Sequence, residues 1–108
     1  LEVLEAPEEG EPYLRVARLY RDRLEDLEEA LRWFKRAIEE ATLSKGQEIL
    51  TRKEIAELLI HRMGEPRRAA PELARLAETY PETPDGQWAR EELARIKDEM
   101  GRARDPRA

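Results

Sequence analysis

Catalysis needs a nucleophile with a base, a metal cage or a phosphate cradle, and the residues that supply these are sparse in this chain. Cysteine is absent, which removes thiolate nucleophiles, disulfides and thiolate zinc sites together. His61 is the single histidine, so a transition-metal site would have to be completed by carboxylates alone. It reads as a surface or edge residue. Ser44 and Thr51 fall in or beside expected loops with no base in sequence reach. Gly64 and Gly86 are isolated glycines and do not make a phosphate-binding loop. The carboxylate pairs Glu39-Glu40 and Glu91-Glu92 are adjacent in sequence, and neighbours on a helix point to different sides. No residue is assigned a catalytic, cofactor-binding or metal role, no cofactor is expected, and the chain reads as a non-enzyme.

Charge narrows the partners. Among 108 residues, 42% are charged and the net charge is −5, with no basic stripe. Duplex nucleic acid is therefore not an expected partner. No apolar run reaches the roughly 20 residues of a membrane span, and no signal peptide is evident. The chain starts at Leu1 and not at Met, and reads as part of something longer or as a processed form. A cytoplasmic setting is the default expectation, with a periplasmic or membrane-attached setting through a missing segment as the alternative. The basic residues are mostly Arg and there is no Asn, which fits either a thermophile or a GC-rich genome.

The elements that would position any site are helices. Residues 1–11 carry Glu without a positive charge and read as an acidic linker. A first helix is expected from Pro12 to about Leu24, with Tyr13, Val16, Ala17, Tyr20 and Leu24 on its apolar face. A second opens at Asp26, which caps it, and carries Leu27, Ala30, Leu31, Phe34, Ala37, Ile38 and Ala41. Residues 43–50 lose the period and read as a loop. A third helix is expected to start at Thr51 and to end at Gly64 in a left-handed cap. The fourth runs from Pro66 to Tyr80, and Pro71 inside it implies either a kink over 67–71 or a first turn that is not α-helical. The fifth begins at Thr83-Pro84 and stops at Met100 before Gly101, leaving residues 101–108 as a disordered basic tail.

The helices repeat. Val16-Ala17 returns as Ile55-Ala56, 39 positions on, and Tyr20, Ala30, Phe34 and Ala37 return as Leu59, Ala69, Leu73 and Leu76. Leu93-Ala94 lies 38 positions beyond Ile55-Ala56 and reads as the start of a third unit. A single helical hairpin cannot bury both faces, so stacked hairpins share a core and a last helix covers the end. The series Tyr13, Val16, Ala17, Tyr20, Ala30, Phe34, Ala37 in the first unit, and Ile55, Ala56, Leu59, Ala69, Leu73, Pro81 in the second, resembles the tetratricopeptide repeat family. Arg52 stands where that family has an opening large residue, Leu76 replaces a small one, Thr42 replaces the closing proline, and the spacing of 39 exceeds the family's roughly 34 residues. The resemblance spans residues 12–100. The stretch YPETPDGQWAREELARIK (80–97) is also similar to repeats of bacterial envelope-associated helical scaffolds.

The tetratricopeptide resemblance implies an all-α, right-handed α-α superhelix of two hairpins (12–42 and 51–81) and a capping helix (84–100). It also implies a concave face of first helices that takes a protein or peptide. Carried onto this chain, the candidate contacts are Leu14, Arg18 and Arg21 from the first helix and Lys53 and Glu57 from the third. Trp88, Glu91 and Arg95 come from the fifth. Each charged member reads more readily as part of a solvated, internally paired surface. Peptide-clamp members of the family use asparagines here, and this chain has none. Trp33 lies beside the apolar stripe of the second helix, where it either marks a self-association surface or covers the helix edge; Trp88 is expected to pack on the third or fourth helix. The function expected is a protein-interaction module within a larger bacterial protein. The rivals are a homodimeric structural domain and an accessory domain of an enzyme or membrane protein.

Overall fold

A computed structural model of the protein describes residues 10–104, and these residues form five helices and no strand. They are α1 (Glu11–Asp22), α2 (Leu27–Glu40), α3 (Lys45–Glu57, continuing as a π-helical turn over Leu58–Arg62), α4 (Pro66–Thr79) and α5 (Pro84–Arg104). The expected acidic linker and the end of the basic tail fall largely outside the described residues. No helix described is long and apolar enough to cross a membrane.

Two hairpins pack in series: α1 with α2, α3 with α4, with α2 against α3 between them and α5 against α4. Each hairpin turns in the same way. Leu24 N–H donates to the Leu19 carbonyl (3.1 Å) and Asp26 N–H to that of Tyr20 (2.9 Å), with Glu25 in the left-handed region at φ 53°. Thirty-nine residues on, Met63 N–H donates to Leu58 (2.9 Å) and Glu65 N–H to Leu59 (2.7 Å), with Gly64 at φ 67°. The long-range bond over a left-handed residue closes the free carbonyls of the helix end. Gly64 adopts that conformation freely, whereas Glu25 holds a side chain where Cβ crowds its own backbone. The core follows the repeat: Ala17 and Ala56, Ala30 and Ala69, Phe34 and Leu73, Ala37 and Leu76 are fully buried pairs.

Several expectations need correction. The segment 43–50 is not a loop, because α3 begins at Lys45. Ser44 Oγ accepts from Gln47 N–H and the Gln47 side chain accepts from Ser44 N–H, both at 3.1 Å, a complete capping box. Thr51 therefore sits inside the helix, buried, its hydroxyl donating to the Gln47 carbonyl at 2.6 Å. Of the two readings for Pro71, the irregular first turn is the one seen: Arg68 N–H makes a three-residue bond to Glu65 (3.0 Å), and α4 runs on through Pro71. Helix α5 passes Gly101 and reaches Arg104. Its buried residues are Ala89, Glu92 and Ile96 at helical spacing, and Ala94 is exposed, so the third-unit register read from Leu93-Ala94 does not hold. Gly86 permits the α4–α5 corner, since a Cβ there would lie 1.9 Å from the Tyr80 carbonyl oxygen.

The face of α1 is also rotated from expectation. Leu14 and Ala17 point into the core, Val16 is half-buried, and Leu24 is 57% exposed. Arg21 takes the place expected of Leu24, its guanidinium 5.7 Å from the centre of the Phe34 ring.

Candidate functional site

The turns above set α1, α3 and α5 in a row, and charged side chains bridge them. From α1, Arg18 reaches Glu54 of α3 with two bonds, Nε to Oε1 at 3.3 Å and Nη2 to Oε2 at 3.0 Å. Arg21 Nη1 donates to the same Oε1 at 3.2 Å, and its Nε and Nη2 grip Asp22 at 2.7 and 2.8 Å. From α3, Lys53 Nζ lies 3.1 Å from Asp85 of α5 and 5.4 Å from the Trp88 ring centre. Trp88 therefore packs on α3, partly covered by the Lys53 ammonium.

Four of the eight proposed contact residues thus join one line: Arg18, Arg21, Lys53 and Trp88. Glu57 lies beside them, lining a hollow of about 330 Å³ with Arg21, Asp22, Glu54, Leu58, His61 and Arg62. Glu91 is exposed on α5, and Arg95 pairs with the buried Glu92 one turn away. Leu14 is not at the surface. It is 2% exposed, because the rotated face of α1 turns it toward α2.

Most of these charges are matched within the chain, which fixes the side-chain directions on this face. The hydrogen bond from Arg21 holds the Asp22 carboxyl below the usual aspartate range, and the Asp22 bond raises the Arg21 guanidinium in turn. Each exposed pair contributes on the order of 0.2–1 kcal/mol. Their sharing of Glu54 fixes side-chain directions more than it stabilises the fold.

Trp33 is engaged at the outer edge of the first hairpin. Its ring meets Tyr13 at 6.1 Å and a 52° tilt, and the Arg36 guanidinium covers it at 4.4 Å. Arg36 also bonds Glu40 at 3.1 and 3.2 Å, and Tyr13 O–H donates to Glu40 at 3.4 Å.

A second cluster escaped sequence reasoning. Arg52, only 9% exposed at its side chain, donates from Nε to Glu48 and from Nη1 to Glu72 of α4, both at 3.0 Å. Tyr80 O–H donates to Glu48 at 2.8 Å. Burial would raise the Glu48 carboxyl, but the bonds from Tyr80 and Arg52 outweigh it and hold it below its ordinary range. The cluster floors a groove between α2 and α4 whose walls include Lys35, Ile38, Glu39, Pro71 and Arg75. The available signal was Arg52 in a position where the repeat called for a large apolar residue, with Glu48 one turn before it.

Among the described residues no group of three or more His, Asp or Glu is arranged to hold a metal ion. No known protein family, curated protein or solved structure matches the chain.

Proposed function

We propose that this chain is a protein-interaction module of the tetratricopeptide kind, a right-handed superhelix whose row of first helices receives a peptide or helix of another protein, without catalysis. The observation that carries this reading is the alignment of Arg18, Arg21, Lys53 and Trp88 across α1, α3 and α5, held by pairs that run from one helix to the next, with Glu57 lining the hollow beside them. Binding costs less when the receiving side chains are already fixed. A half-buried Trp beside charged groups is the composition from which binding hot spots are made. The rival, self-association through Trp33, draws on the first hairpin alone, where Tyr13 and Arg36 gather around that ring, whereas the first-helix row spans α1, α3 and α5.

The test is selection of peptides from a random displayed library on the immobilised protein, then titration on wild type and on Glu57→Lys/Trp88→Ala. The expected outcome is a consensus peptide that loses at least about tenfold in affinity on the variant, the effect of about 1.4 kcal/mol. Peptides that bind both proteins equally, or a selection without a consensus, would rule the face out.

A further inference from the structure

The two hairpins differ in what lies over their first helices. In the second, Ile55 and Leu58 are 0% and 2% exposed, and α2 of the preceding hairpin packs along α3 and its π turn. The equivalent residues 39 positions earlier are Val16 and Leu19. They face away from Leu14 and Ala17, at about 100° per residue around α1, and Leu19 is 47% exposed. With Pro12 they floor an open trough of about 570 Å³, rimmed by Arg15, Arg18, Asp22 and Arg23.

Charge distinguishes the two places as clearly as burial. The repeat equivalents of Arg15 and Arg18 are Glu54 and Glu57. Glu54 is met by Arg18 and Arg21, cations from the preceding unit. In the first unit the signs are reversed. Among the described residues Arg15 meets Glu11 at 4.0 Å, Arg18 is taken by Glu54 and Asp22 by Arg21, so Arg15 and Arg23 leave the rim net positive on a protein whose net charge is −5. We infer that the outer face of α1 docks an acidic amphipathic helix of a partner protein, lying on Val16 and Leu19 much as α2 lies on α3, with its carboxylates on the arginine rim. A second copy of this chain fits less well. Two such floors placed face to face would set the Arg15 and Arg23 rims of both copies against each other, like charge on like.

This inference rests on the reading of the chain as an interaction module but uses another face of α1, with Arg18 at the border of the two. The test is fluorescence anisotropy with a labelled synthetic helix of about 18 residues, leucines along one face and glutamates flanking them, against the same helix with lysines for glutamates. The glutamate helix is expected to bind wild type at least about tenfold more tightly than the lysine helix and to weaken with salt. Leu19→Asp should abolish binding, and Arg15→Glu/Arg23→Glu should reverse the preference. Leu19 is exposed enough that the fold survives, which an unchanged circular-dichroism melt verifies. Equal binding of both helices, no saturation by either, or a wild-type molar mass that doubles with concentration while Leu19→Asp stays monomeric would each overturn the proposal. A library-selected peptide that still binds the Leu19→Asp protein separates failure here from failure of the broader reading.

Discussion

The first hairpin closes its outer edge with aromatic rings, and the second closes the same edge with charges. Tyr13 and Trp33 meet at a tilt across α1 and α2. Their equivalents 39 positions on, Arg52 and Glu72, form an ion pair across α3 and α4. Arg36, which covers Trp33, corresponds to Arg75 on the wall of the α2–α4 groove. The inner positions, by contrast, keep their size: small at Ala30 and Ala69, large at Phe34 and Leu73. The backbone path is thus carried by the inner crossings, which tolerate little change in volume. The outer pair has only to close the edge, and an aromatic contact or a well-bonded ion pair does so.

The comparison breaks most visibly at the shared crossing. Phe34→Ala is expected to cost about 3–5 kcal/mol and Leu73→Ala about 2–5 kcal/mol, read from denaturant unfolding as a single transition for each. Two separate transitions in either variant would show that the hairpins do not share one core.

The outer pair gives the next effect. Arg52→Tyr alone leaves Glu72 without its partner in a poorly solvated place, for a loss of about 3 kcal/mol, the low end for a broken buried pair. Adding Glu72→Trp recreates the first hairpin's aromatic contact in the second and should recover most of that loss, since an apolar replacement of a buried pair is often neutral. A double variant no better than the single one would mean the two edges are not interchangeable.

A smaller effect lies in the turns. Glu25→Gly should stabilise by about 0.5–1 kcal/mol by relieving the left-handed strain. Gly64→Ala should destabilise by about 1 kcal/mol, because it introduces the same strain. Opposite signs in thermal melts are the check.

The smallest is a dependence on acidity. Glu48 titrates below the ordinary glutamate value of 4.5 in the folded protein, so the unfolded chain binds more protons around that pH. Its contribution is present above the ordinary value and is lost as pH falls through the lower folded one. Melting temperature should therefore drop on acidification, and Glu48→Gln should flatten part of that slope. Asp22, held down by Arg21, leaves a residual slope that belongs to the first hairpin.

The sequence carried the helices and the inner crossings because both obey the helical period and recur at a fixed offset. It misled where a local rule had two candidates. Thr51 with Glu54 and Ser44 with Gln47 are both capping signatures, and the earlier one won since Ile49 and Thr51 are buried within the longer helix. Val16 looked like core because its repeat partner Ile55 is core. The repeat equates positions, but only a neighbouring helix buries them, and α1 lacks the neighbour that α3 has. Of the candidate site, Arg18, Arg21, Lys53 and Trp88 were legible as helix positions facing one way. Their partners Glu54 and Asp85 were not, since pairing across helices depends on a crossing that no local pattern encodes. The Arg52 cluster was hidden for the same reason: an arginine is read as surface unless the carboxylates that accompany it inside are known.

The central claim is that the row of first helices is the receiving face, and amide chemical-shift mapping with a library-selected peptide tests it most directly. Shifts concentrated on Arg18, Lys53, Glu57 and Trp88, with α2 and α4 unmoved, are what this account predicts. Shifts centred on the α2–α4 groove around Arg52 and Arg75, or on Trp33, would contradict it.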